Sequence, residues 1–266
     1  MAVVLVWGLS AAGGGSTSRL GGSPSSAPHH SPSPGAGGHA GPDVTDRVLA
    51  STSYVSVGGG RRREIALTFD DGPGPYTPKV LATLRRMHAP ATFFWIGRWV
   101  SQYRSVAAAE VRAGYPIGNH TQNHPPLGQL SLDDQRTEIA HGAGAVETLG
   151  LPPPRLFRPP YGSFNQTTLN LLSQKRELMV LWTVDTRDFS SPSTNRIIYL
   201  AVSGARPGAI ILMHDGGGDR HQTIAALPKI IRLLRKRHYR LVTIPQLLHD
   251  DPPPPNQAPP HSLAGG

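Results

Sequence analysis

A chain of 266 residues can hold one large domain or two small ones, and its 30 glycines and 27 prolines crowd the first 60 residues and the last 16, leaving an ordinary core between. It has no cysteine, which excludes a disulfide framework and any thiolate metal site and leaves His, Asp and Glu as metal ligands. Lys and Arg number 26 against 17 Asp and Glu, and this net charge of +9 favours anionic polymers without choosing among nucleic acid, acidic lipid and an anionic cell wall.

Residues 1–12 are apolar, too short to span a bilayer and followed by small residues, like the apolar region and cleavage zone of an export signal, although no Lys or Arg precedes them. The Gly/Ser/Pro/His-rich run over 13–42 then reads as a disordered spacer. The expected organisation is a leader and linker over 1–60, a folded domain over 61–249 and a disordered Pro-rich tail over 250–266.

Within the domain, seven β-rich runs recur in chain order, at 65–69, 92–96, 116–118, 156–158, 179–184, 209–213 and 240–244. Helical periodicity fills the gaps, near 77–88, 99–113, 132–149, 166–175, 194–204 and 222–238. Ser131 before Leu132-Asp133-Asp134 marks one helix start, and Thr77 before Pro78 marks another. The alternation predicts an α/β fold of βα units around a mostly parallel sheet, as an incomplete, distorted barrel or as an open doubly wound sheet.

The rare polar side chains favour the barrel. Asp70 and Asp71, His120 and His124, Arg158 and Tyr161, Asp185 and Asp188, and His214 and Asp215 each follow the carboxyl end of a predicted strand, the catalytic end in barrel enzymes. Thr68-Phe69-Asp70-Asp71-Gly72-Pro73 sets two carboxylates before a sharp turn, and alone it reads as turn chemistry. Side chains of adjacent residues diverge, so one carboxylate could face a metal and the other a water. His120 and His124 stand four apart, which on a helical turn brings both imidazoles to one face. With Asp71 they make a two-His, one-carboxylate set that leaves coordination positions open. Arg158, in Arg158-Pro159-Pro160-Tyr161-Gly162, can hold a carboxylate through a bidentate contact or sit on the surface beside a proline turn. Asp185-Thr186-Arg187-Asp188-Phe189 and Leu212-Met213-His214-Asp215 supply a carboxylate and imidazole pair, which makes a general acid.

These five segments, in this order over roughly 61–249, resemble the polysaccharide deacetylases of the NodB-homology type, carbohydrate esterase family four. The resemblance implies a distorted (β/α) barrel of about seven parallel strands with surrounding helices, and hydrolysis of acetyl groups on peptidoglycan, chitin-like polymers or xylan by one divalent metal ion, usually zinc. It implies metal ligation by Asp71, His120 and His124, with Asp70 as general base and Arg158 orienting it. The Tyr161 amide would help to stabilise the oxyanion, His214 would protonate the leaving nitrogen with support from Asp188, and Leu212 would line the pocket for the acetyl methyl. The family's fourth motif commonly ends Asp-Trp; here Phe189 keeps a flat apolar wall beside the sugar and loses the indole donor.

The expected activity is release of acetate from an amino-sugar polymer, with an acetyl xylan esterase or a catalytically silent carbohydrate-binding module as alternatives. Retention of Asp70, Asp71, His120, His124 and His214 disfavours the silent module. The expected protein is a monomer, secreted or associated with the cell wall, without a stable membrane span. No nucleic-acid partner is expected: Arg61, Arg62 and Arg63 form one basic cluster and Arg232, Arg235, Lys236, Arg237 and Arg240 another, but no nucleic-acid module accompanies them, and the second reads as a solvated helix face.

Overall fold

The computed structural model describes residues 43–255 and 257. The expected leader and the spacer over 13–42 lie outside the described residues. The expected linker, however, ends by Asp43, because Val44–Leu49 (α1) and Tyr54–Val55 (β1) are already folded. Asp43 caps α1 by accepting from the Thr45 amide, and Val48 and Val55 are buried.

From there the strands and helices alternate largely as predicted. Glu64–Gly72 (β2), Thr77–Arg86 (α2), Thr92–Trp95 (β3), Gly97–Gln102 (α3), Arg104–Arg112 (α4), Ile117–Asn119 (β4), Leu132–Glu147 (α5), Leu156–Phe157 (β5), Gln166–Lys175 (α6) and Leu178–Val180 (β6) form the first part. Val184–Asp185 (β7), Thr194–Ser203 (α7), Ile210–His214 (β8), His221–Lys236 (α8), Arg240–Val242 (β9) and Ile244–Asp250 (α9) complete it. All ladders between these strands are parallel, in the order β1-β6-β5-β4-β3-β2-β8-β7, and β9 pairs the start of β2.

The strand expected over 179–184 becomes two. β6 pairs β5 and β1 at one end of the sheet, while β7 pairs β8 at the other. The same chain segment thus spans the gap between the two ends, with the Leu181 amide donating to Val55 and the Thr183 amide to Ile210. The sheet curls into a distorted barrel with that segment as its closing stave. The helix expected over 99–113 breaks at Tyr103, whose φ of −112° and ψ of 38° are not helical.

Strand parity divides the core into an outer and an inner layer. Ile65, Leu67 and Phe69 of β2, Phe93 and Trp95 of β3, and Ile211 and Met213 of β8 pack with the buried faces of α2, α7 and α8. Ala66, Phe94, Ile210 and Leu212 form a second cluster with Val55, Val180 and Trp182 inside the barrel. The same parity sends Asp70 and His214, which are register partners, toward the barrel interior at the strands' carboxyl ends.

Candidate active site

The two carboxylates of β2 should face opposite sides of the sheet. They both reach the cleft because the ladder with β3 shifts register between Asp70 and Gly72, and Asp71 takes a left-handed φ of 72°. This bulge re-aims the Asp71 side chain from the helix layer to the mouth. Of nine non-glycine residues with positive φ among those described, Asp71, Thr121, His124, Tyr161, Arg187 and Ser191 stand in turns around the site. Such strain persists where the surroundings hold the backbone firmly.

His120 and His124 meet, but across an irregular loop rather than the helical turn expected from their spacing, with Thr121 and His124 both left-handed. Their rings lie 4.8 Å apart. Glu138 of α5 staples the loop, accepting from the amides of Gln122 (3.1 Å) and Asn123 (2.8 Å), and the start of α3 bonds to the carbonyls of Thr121 and Gln122. His120 Nδ1 donates to the Arg158 carbonyl at 2.7 Å, so its Nε2 is the free lone pair. Asp71 Oδ1 stands 3.6 Å from that atom and 3.2 Å from His124 Nε2.

Asp71, His120 and His124 each offer one ligand atom, all within 4.8 Å of one another. The donor set fits a divalent cation, since Asp71 Oδ1 is buried without a hydrogen-bond donor while two imidazole nitrogens converge on it. Burial, then the neighbouring His120, pushes the His124 pKa down to about 3 and keeps its ring neutral. Burial opposes the charge on Asp71, but the surrounding imidazoles outweigh it and hold that carboxyl low.

Asp70 and His214 flank this set with separate supports. Arg158, fully buried, donates to Asp70 Oδ1 (2.7 Å), Thr68 Oγ1 (2.9 Å) and the carbonyls of Val180 (3.0 Å) and Leu181 (3.2 Å), and its guanidinium lies 4.2 Å over the Phe94 ring. It is a core cation with one carboxylate partner, and the bidentate contact expected from sequence is a single donor to that carboxylate. His214 Nδ1 contacts Asp188 Oδ1 at 2.7 Å, and Asp188 accepts further from the His214 amide and the hydroxyls of Thr223 and Thr186. Burial alone would lower the pKa of His214, but the Asp188 charge and hydrogen bond override it and raise it to about 9. Asp185 instead accepts from the Arg187 amide at 2.7 Å.

The cleft holds about 670 Å³ and is lined by Asp70, Asp71, His120, His124, Tyr161, Phe189, Leu212 and His214, with Arg158 and Asp188 standing behind the lining. Tyr161 is 41% exposed, its ring centre 4.6 Å from that of His124, and the ring centres of Phe189 and His214 lie 5.9 Å apart in an edge-on arrangement. The cleft also includes Trp99, Tyr103, Trp182 and Arg220, which carry no motif-like spacing in the sequence. Thr68 and Thr223 were equally silent there, being hydroxyls that act through contacts across the fold. Thr77 does not cap α2; its hydroxyl donates to buried Asp215, beside His214, and accepts from the Gly74 amide at 2.9 Å.

Residues 58–176 match the family model described as polysaccharide deacetylase. A Bacillus cereus protein named peptidoglycan-N-acetylglucosamine deacetylase is 42% identical over 76% of this chain and 96% of its own length. The solved structure of Bc1960, a peptidoglycan N-acetylglucosamine deacetylase, superposes with a TM-score of 0.73 at 32% identity, covering 79% of this chain and 98% of that one. BA3943 of Bacillus anthracis, described as a family 4 pseudoenzyme, superposes with a TM-score of 0.70 at 30% identity, covering 74% and 69%.

Proposed function

Because the chain belongs to the polysaccharide deacetylase family and is thereby a hydrolase of carbon–nitrogen bonds, we propose that it removes N-acetyl groups from the amino sugars of peptidoglycan, outside the cell, as a zinc-dependent monomer. The observation that carries this reading is the pair of proton-handling groups on either side of one three-ligand set, with Arg158 behind Asp70 and Asp188 behind His214. Likeness to a pseudoenzyme makes that residue set, rather than the fold, the argument for catalysis. The likeness to peptidoglycan deacetylases and the net charge of +9 support an anionic wall polymer as substrate.

A zinc ion held by Asp71, His120 and His124 would supply Lewis acidity, polarising the acetyl carbonyl and making a nearby water easier to deprotonate. Asp70, fixed through Oδ1 by Arg158, takes the proton from the attacking water on Oδ2. The Tyr161 amide donates to the developing oxyanion, a contact worth roughly 3 kcal/mol when preorganised. His214, held through Nδ1 by Asp188, delivers a proton from Nε2 to the amide nitrogen as the carbon–nitrogen bond breaks. Acetate and a free amine leave. Leu212 and Phe189 give the acetyl methyl and the sugar an apolar wall.

Counting new free amines on intact peptidoglycan and on chitin oligomers after incubation with zinc-loaded protein tests the substrate assignment. Faster reaction on peptidoglycan is the expected result; reaction on chitin oligomers alone would move the assignment to a chitin-like polymer, and reaction on neither would refute it.

A further inference from the structure

The two arginine-rich clusters of the sequence become one face. β9 pairs the first residues of β2, bringing Arg240 beside Glu64, and the Arg240 amide donates to the Arg63 carbonyl at 2.8 Å. Arg63 then reaches the end of α8, donating to the Arg237 carbonyl at 2.7 Å. From the same helix end, Arg235 donates to the carbonyls of Met87 (2.8 Å) and His88 (2.9 Å), just past α2, which ends in Arg85 and Arg86. Three segments distant in sequence thus deliver their cations to one end of the barrel.

The charge of this face is largely uncompensated. Glu64, Asp250 and Asp251 pair with Arg240 and Arg61. Arg63, Arg235 and Arg237 spend their donors on backbone carbonyls, which order a guanidinium without cancelling its charge. Arg63, Arg85, Arg86, Arg235, Lys236 and Arg237 are all exposed and, among the described residues, none has a carboxylate within ion-pair distance. Arginine predominates, and its planar fork suits phosphate oxygens better than an ammonium does.

We propose that this face is a second binding site, for a phosphodiester-linked polymer of the cell wall. It lies at the amino end of β2, and the seven residues from Arg63 to Asp70 put it about 23 Å from the catalytic carboxylates at roughly 3.3 Å per residue. A polymer held there leaves the mouth open to the glycan, and the two contacts together raise the local substrate concentration. Single-stranded nucleic acid is the poorer fit, because it needs exposed aromatic platforms. The one aromatic ring of the basic stretches, Tyr239, is 8% exposed and covered by Arg63 at 4.6 Å. The choice of a wall polymer rests on the deacetylase reading, whereas the affinity of this face for phosphate does not.

The test uses the full chain, inorganic polyphosphate as probe, and isolated walls before and after extraction of their phosphate polymer. Arg85→Gln/Arg86→Gln removes two charges whose side chains bond no backbone carbonyl, so it spares the fold. Arg235→Gln/Arg237→Gln is the second variant. Each phosphate contact contributes about a threefold loss of affinity between roughly 50 and 200 mM salt. The first variant is therefore expected to bind polyphosphate more weakly, with a salt-driven loss about tenfold smaller than in the wild type. Its turnover of soluble N-acetylglucosamine oligomers should be unchanged, and extraction should release the wild type from walls. Equal polyphosphate binding by wild type and the first variant, undiminished binding to extracted walls, or tighter binding to duplex DNA than to polyphosphate would each overturn it.

Discussion

His214 shows how far one neighbour can set a residue's chemistry. An isolated buried imidazole is neutral, yet Asp188 raises this one to about 9, so it carries its proton at neutral pH and loses it as pH rises through that value. Activity on amides should fall above pH about 9. In Asp188→Asn only the charges of Asp71 and Asp70 still oppose burial, and the alkaline limb of the kcat profile should move down; an unmoved limb would exclude His214 as the titrating acid. An amine anion leaves far less readily than an alkoxide, so His214→Ala should slow amide hydrolysis about 10²- to 10⁴-fold and acetyl ester hydrolysis much less. Equal losses on both substrates would assign the proton to another group. These residues were legible as types and spacings. Most of their supports were not, because Thr223 and the carbonyls that hold Arg158 become neighbours only when the sheet closes.

Among the elements, α6 is found at the range that periodicity indicates, 166–175, with Asn165 and Thr168 forming a reciprocal cap. The failures have causes distant in sequence. The run at 179–184 is β-rich throughout, and only the need to close the barrel divides it between opposite ends of the sheet. α1 and α9 are short, and each buries its apolar side partly against the other, a partnership between residues some 200 positions apart. The loop that holds both histidines depends on α5, not on helical geometry of its own. Gly142 of α5 has no room for a side chain, since an added Cβ would come within 2.3 Å of Asn119 Oδ1. Glu138 pins two amides of the loop from the same helix. Glu138→Ala should therefore weaken zinc affinity about 10- to 100-fold while the fold survives, as measured by competition with a chelating dye alongside a melting curve. Unchanged affinity would mean that α3 alone positions the loop.

For the whole molecule, the border expected at Arg61 lies too late, because the residues just before it have little periodicity and are held in part by contacts with the far end of the chain. Gly59 donates to the Asp251 carbonyl, and Gln257 Oε1 accepts from the Ser56 amide at 2.8 Å. The described domain also gathers three lone-pair donors at its mouth, Asp71 and His120 buried and His124 half-buried, with no proton to share at Asp71 Oδ1. Metal binding should accordingly stabilise the fold, with a chelator lowering Tm and zinc restoring it, whereas an unchanged Tm would show that the three groups are content without a cation. The most direct measurement is acetate release from N-acetylglucosamine oligomers and from acetylated xylan by metal-stripped and zinc-restored protein, for the wild type and Asp70→Asn. The predicted result is zinc-dependent release from the amide substrate that Asp70→Asn abolishes. Release from xylan alone would make the protein an esterase, and silence on both substrates with zinc tightly bound would contradict catalysis at this site.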